Sequence, residues 1–234
     1  MDAAPRWYGW AAGCMATATG LVALVAPHHD PFTFADTTWA RWDSGLYDLI
    51  ARQGYDLVPC SPGSPGPPWC GTAGWFPGYP AAIRVGGKLT GAELYQVGAF
   101  LSLVGWIVTV VLLCRLLSTR APVVRLIPAL LLLAVFPGSI YERAMFPVSM
   151  ATAALAALLL GVHRGRPWLV AVAGAVATLA YPSGVLCLAA SVPFLLATRR
   201  REPRAVRRLL IVVGGPMLAY AAVQPAQHLK IGQL

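Results

Sequence analysis

The chain has 234 residues, 57% of them hydrophobic and only 12% charged, with a formal net charge of +9. A soluble domain carries roughly 25% charged residues, so this composition, with a mean hydropathy of +0.63, excludes an ordinary soluble enzyme and points to an integral membrane protein. The positive charge does not read as a nucleic-acid surface: the arginines sit in short gaps between apolar runs, at Arg115, Arg120 and Arg125, at Arg164 and Arg166, and in "TRRREPRAVRR" at 198–208. That is the pattern of cytoplasmic loops facing anionic lipid.

In chain order, the first apolar run covers residues 9–27. Its basic leader is weak (Arg6), and the run is nearly long enough to span, so it reads as a retained first helix rather than a signal peptide. Residues 28–92 form a long segment without a basic excess, which places it outside. The second span is expected at 94–117, the third at 126–140, and the fourth at 148–162, with "YERAMFP" (141–147) as an outer turn. Residues 167–197 read as two short helices meeting at "YPSG" (181–184), because one continuous helix would put the arginine-rich run outside. A seventh span follows at 209–223. The expected fold is all-α: a single polytopic helical membrane domain over 1–234, with amphipathic interfacial helices in its extracytoplasmic first loop.

Within that loop, "PCSPGSPGPPWCG" is a loop by composition. A disulfide between Cys60 and Cys70 is expected in this exported setting, and the closed loop of roughly ten residues would contribute up to about 3 kcal/mol. Zinc binding is not indicated, since the pair has no histidine between its members and no second pair to complete four ligands. His28 and His29 read as an interfacial pair or, alternatively, a metal site.

"TTWARWDSGLYDLIARQGY" (37–55) is the amphipathic element. Wound at about 100° per residue, Trp39, Trp42, Leu46, Leu49 and Ile50 share one face, and Arg41, Asp48 and Arg52 share the other. Asp43 falls on the apolar side, between Trp39, Tyr47 and Ile50. A carboxylate there either caps or salt-bridges a neighbouring loop, or belongs to a site. The chain carries no Walker loop, GxGxxG, HExxH or GxSxG sequence. The spans hold almost no acids or histidines, which argues against an ion or proton pathway.

"ARWDSGLYDLIARQGY" followed by "WFPGYPAAIR" resembles the first outer loop of GT-C type membrane mannosyltransferases, closest to the family of the second mannosyltransferase of GPI-anchor synthesis and its bacterial relatives. The matching residues are Arg41, Trp42, Asp43, Tyr47, Ile50, Ala51, Gly54 and Tyr55, then Trp75, Phe76, Pro77, Tyr79 and Pro80. "FPGSIYERAMFPVSMATAALA", "ATLAYPSGVL" and "YAAVQPAQHLKIGQL" are similar to later segments of the family. The resemblance implies sugar transfer from a polyprenyl-phosphate donor to an extracytoplasmic or lipid-linked acceptor, at the outer face of the cell membrane. It implies Asp43 as the catalytic carboxylate, a better base if partly desolvated. It implies Arg41, Trp42, Tyr47, Trp75, Phe76, Tyr79, Glu142 and Arg143 as substrate-binding residues. No cofactor is indicated by the residues, and a divalent cation stays open.

The chain also departs from the family. Phe146, Pro147, Val148, Ser149 and Met150 stand where relatives carry an acid, and Tyr181 stands where they carry arginine. The sequence stops where relatives continue with several more helices, so it reads as a fragment, a truncated gene product or a divergent member, or as a chain whose remaining helices a second polypeptide supplies. These departures favour the alternative, a non-catalytic membrane scaffold or assembly partner on the same fold. The arrangement makes a topological prediction. A cysteine introduced at Pro62 should react with impermeant reagent from outside the cell, and labelling only from the cytoplasm would invert the assignment.

Overall fold

The computed structural model describes residues 40, 42–60, 69–117, 128–133, 136–186, 189 and 205–228. The expected first span, Trp39, Arg41, His28 and His29 lie outside the described residues. The elements are α1 (Ser44–Gln53), β1 (Leu57–Pro59), β2 (Trp69–Gly71), α2 (Gly78–Thr90), α3 (Leu94–Leu117), a 3-10 turn at Pro137–Ser139, α4 (Ile140–Arg143), α5 (Val148–His163), α6 (Pro167–Ala180) and α7 (Ala205–His228). Residues 128–133 are also helical. The fold is therefore all-α apart from one small ladder.

α3 is the long element. Its 24 residues reach about 36 Å at 1.5 Å per residue, and among the described residues it is the one helix both long and apolar enough to cross a bilayer. Val148–His163, Pro167–Ala180 and Leu209–Val223 are apolar but shorter. One stripe of α3, Phe100, Val104 and Val108, is exposed. The other carries Gly98, Ser102, Gly105 and Thr109, small residues that let α5 approach closely. At Gly105 an added Cβ would lie 2.9 Å from the backbone carbon of Ser149, so no larger residue fits without separating the helices.

The contacts fix the helix directions. Gly98 meets Met145, Gly105 meets Ser149, and the Thr109 and Thr152 hydroxyls lie 3.2 Å apart, so α3 and α5 run parallel. Gly161 meets Val170 across the short turn at 164–166, so α6 returns antiparallel to α5. α7 runs along α6: Gly215 meets Ala171, and Gln227 Nε2 donates to the Trp75 carbonyl at 3.4 Å, at the end where Gly78 of α2 meets Leu179 of α6. Arg115, Arg164, Arg166 and Arg207 thus share one end of the bundle. α1, α2, α4 and Tyr181 share the other.

Prolines set the breaks. Residues before proline are pushed to extended backbone. Phe136 (φ −60°, ψ 133°), before Pro137, stops the helix expected to run through 140 and leaves a 3-10 turn and α4 in its place. Tyr181 (φ −152°, ψ 144°), before Pro182, ends α6 at the expected "YPSG". The proline-rich loop differs from expectation at its ends, which pair as antiparallel strands with Val58 opposite Cys70. A disulfide joins Cys60 to Cys70. Gly71 (φ +132°) brings its backbone so close to the Asp56 carbonyl that a Cβ would lie 2.1 Å from that oxygen.

The outer layer is nailed to the bundle by one buried polar chain. Tyr47, Ala51, Tyr79, Ile83 and residues 144–146 form a single core cluster. Ser44 Oγ donates to the Met145 carbonyl at 3.1 Å, and Ser102 Oγ donates to the Phe146 carbonyl at 3.2 Å. The Tyr79 hydroxyl lies 2.7 Å from Ser102 Oγ and 2.8 Å from the Gly98 carbonyl. Each hydroxyl has one proton: Tyr79 shares its proton between the Gly98 carbonyl and Ser102 Oγ, and Ser102 donates to the Phe146 carbonyl. Tyr79→Phe removes the first donor in a fully buried place. It should cost about 1–3 kcal/mol and lower the unfolding midpoint in detergent by about 2–4 °C per kcal/mol. An unchanged midpoint would show that this hydroxyl carries no part of the link.

Candidate functional site

The site is built around the start of α1. The helix begins at Ser44, not before, and Asp43 is the residue that precedes it. Its carbonyl accepts from the amides of Leu46 (2.9 Å) and Tyr47 (3.3 Å), but its carboxylate makes no capping bond and is exposed. The helical wheel drawn through 39–43 therefore does not apply. Trp42 has φ +47°, a left-handed backbone, which is rare for a bulky residue and takes it off the helical path. The buried face of α1 is Ser44, Tyr47, Ile50 and Ala51, turned by roughly 100° from the expected one. The Asp43 carboxylate is at the surface rather than partly desolvated on a greasy face.

Around it stands a run of aromatic rings. Trp42 stacks on Tyr141 with centroids 4.7 Å apart and planes 23° from parallel. Both meet Phe146 edge-on, at 6.1 Å and 5.8 Å. Phe146 meets Tyr47 at 5.7 Å, and Tyr47 meets Tyr79 at 5.6 Å. The run leads from Trp42, 61% exposed, to Tyr79, fully buried. Burial first, and then Tyr181, Asp43 and Tyr55, push the Tyr47 phenol above its ordinary range. These four side chains are thus electrostatic neighbours, drawn from α1, the segment after it and the end of α6. The Tyr55 hydroxyl is buried with no hydrogen-bond partner among the described residues, and burial pushes its pKa upward too.

The other sequence-predicted residues divide. Tyr79 is not at a cleft, because its ring is in the core and its hydroxyl bonds Ser102. Tyr47 is buried, 5% exposed, with its ring against Tyr79 and Phe146. Trp75 and Phe76 are half-buried, and Trp75 packs against the core cluster. Asp48 pairs with Arg52 at 2.9 Å and is mostly covered, its side chain only 13% exposed rather than fully solvated. Arg41 lies outside the described residues. Tyr141 was missed; nothing in "YERAMFP" distinguishes it without the contact to Trp42.

The chain matches no known family model, no curated protein and no solved structure.

Glu142 points into the bundle, away from this surface. Thr152 Oγ1 donates to Glu142 Oε2 at 3.0 Å, with Thr109 beside it. Burial raises the Glu142 pKa above its ordinary value, opposed by the Thr152 bond, and burial lowers that of Arg143. Among the described residues no three His, Cys, Asp or Glu side chains gather as a metal site. A groove of about 550 Å³ at the far end of α1 is lined by Arg52, Arg84, Lys88 and Glu93. Arg84 donates there to the carbonyls of Ala51 and Ile50, so its charge serves the C-terminus of α1.

The raised Glu142 pKa has a stability consequence. The folded state holds the proton more tightly than the unfolded chain, whose Glu titrates near about 4.3. Stability therefore falls as pH rises from that value through the higher folded pKa, and is level above it. Glu142→Gln keeps the Thr152 bond and removes the titration. The variant should equal or exceed wild-type stability at neutral pH, and its lead should shrink as pH is lowered. Parallel melting curves for the two proteins from acid to neutral pH would contradict this.

Proposed function

We propose that this chain is a polytopic membrane glycosyltransferase of the GT-C type, moving a hexosyl unit, mannosyl by resemblance, from a polyprenyl-phosphate donor to an extracytoplasmic or lipid-linked acceptor. The observation that carries the reading is the Asp43 carboxylate: exposed, at the start of α1, with Trp42 beside it and Tyr47 and Tyr181 close by. Inverting sugar transfer needs a carboxylate that the attacking hydroxyl can reach, and Asp43 is open to an incoming acceptor.

The membrane setting is supported by α3 and by apolar surface on the packed row of α3, α5, α6 and α7. Phe100, Leu159, Trp168, Val172, Leu210 and Leu218 are all exposed, which suits lipid rather than water. Arg115, Arg164, Arg166 and Arg207 gather at one end, the end that the positive-inside tendency assigns to the cytoplasm. Asp43 is then extracytoplasmic, on the side where polyprenyl-linked sugars are used. The short apolar helices α5 and α6 are suited to a partly protein-packed position. The seven-span reading adds to α3, α5, α6 and α7 the first apolar run, the 126–140 run and the segment after "YPSG".

The reading is tested with the full chain in membranes supplied with labelled polyprenyl-phosphate sugars. Asp43→Asn should lower transfer by about 10²–10⁴-fold with normal membrane insertion. Asp48→Asn, which breaks a surface pair worth about 0.3–0.5 kcal/mol, should leave transfer nearly unchanged. Full activity in the Asp43 variant would remove it from the mechanism. Absence of transfer in wild-type membranes, with any downstream partner co-expressed, would make the chain a non-catalytic scaffold.

A further inference from the structure

Trp42 holds a conformation that its burial does not offset. A left-handed backbone at a bulky residue is strained and persists where the surroundings force it. Here Tyr141 and Phe146 hold the indole, yet 61% of the residue remains exposed. A ring stacked on one face and this exposed has its other face open. The chain thus maintains a flat aromatic surface toward solvent at some energetic expense.

What flanks that surface selects its ligand. Asp43, the next residue, offers an exposed carboxylate. Tyr181, from the end of α6, is 43% exposed and lies near enough to act electrostatically on Tyr47, as Asp43 does. A flat apolar floor with convergent polar groups at one margin is the arrangement of a small-ligand site. A hexopyranose has the matching form: one face of polarised C–H bonds, which suits the electron-rich face of an indole, and an edge of hydroxyls that donate to a carboxylate. An alkyl chain would leave Asp43 unmatched, and a phosphate would be repelled by it.

We propose that the open face of Trp42, backed by Tyr141, is the floor on which a hexopyranose ring stacks, with Asp43 taking its hydroxyls. The proposal rests on the glycosyl-transfer reading only for which substrate brings the ring. The sugar plane then lies parallel to the indole, and its hydroxyl edge is turned to Asp43.

The test is binding, so that it stands apart from turnover. Full-length protein in lipid nanodiscs is titrated with methyl hexopyranosides and followed by saturation-transfer NMR. Wild type should saturate the C–H protons of one sugar face. Trp42→Gly keeps the left-handed turn without strain and removes the floor; binding should weaken about tenfold. Tyr141→Ala removes the backing and should weaken binding as well, whereas Tyr141→Phe, which keeps the stack, should not. Either of the first two variants matching wild type would overturn the proposal, as would absence of saturation in wild type or displacement of the sugar by glycerophosphocholine. Sugar binding that depends on Trp42 in a protein without transfer activity upholds the floor and counts against the glycosyl-transfer reading alone. Transfer without Trp42-dependent binding does the reverse.

Discussion

Residues 144–146 leave the helical path between α4 and α5 while their side chains are buried, and a buried peptide carbonyl without a partner is costly. Two of these carbonyls are taken by side chains from different elements, Met145 by Ser44 of α1 and Phe146 by Ser102 of α3. Tyr79 of α2 completes the second bond by reaching Ser102. One irregular tripeptide therefore holds the outer helices onto the bundle. The surface around Asp43 is rigid to the extent that this junction is, because Trp42 rests on Tyr141 and Phe146, the residues on either side of it.

The junction also explains why residues of the same motif take opposite roles. Ser44 and Tyr47 are drawn inward by the carbonyl they serve and the rings they meet, so α1 rotates about its axis and Trp42 and Asp43 are left at the rim. "WFPGYP" supplies the helix start and the buried Tyr79 rather than a cleft wall. The family-like segments build the scaffold as much as they line any site, and an isolated motif match does not tell these uses apart.

Much of the helical framework was legible. Sustained hydropathy gave α3 with the boundaries found, Leu94–Leu117, and placed α5 and the apolar part of α7 within a few residues. Pro182 marked the end of α6 because its effect on the preceding residue is local. Pro137 carried the same signal and was overridden by the apolar run around it, so the third helix was drawn too long. The wheel through 37–55 failed for a different reason. It assumed helix from the start, whereas the left-handed backbone at Trp42 depends on rings more than ninety residues away. The opposed settings of Asp43 and Glu142 were equally invisible, since which acid faces out is decided by the parallel packing of α3 on α5.

Those two carboxylates sit at the same end of the bundle in different electrostatic worlds, and the contrast bears on where chemistry is possible. Glu142 is partly buried and its Oε2 accepts from Thr152, so a charge there is penalised. Asp43 has neither constraint: no side-chain bond fixes it at the helix start, and water or a ligand hydroxyl reaches it freely. Arg115, Arg164, Arg166 and Arg207 lie at the opposite end of the helices, so none of these four neutralises it. A surface carboxylate with no ion-pair partner among the described residues, and with aromatic neighbours, is suited to neutral, hydroxyl-rich ligands and poorly suited to anions. On the proposed sugar-transfer reading, the phosphate of a lipid-linked donor would be held by other groups, while Asp43 would meet the sugar.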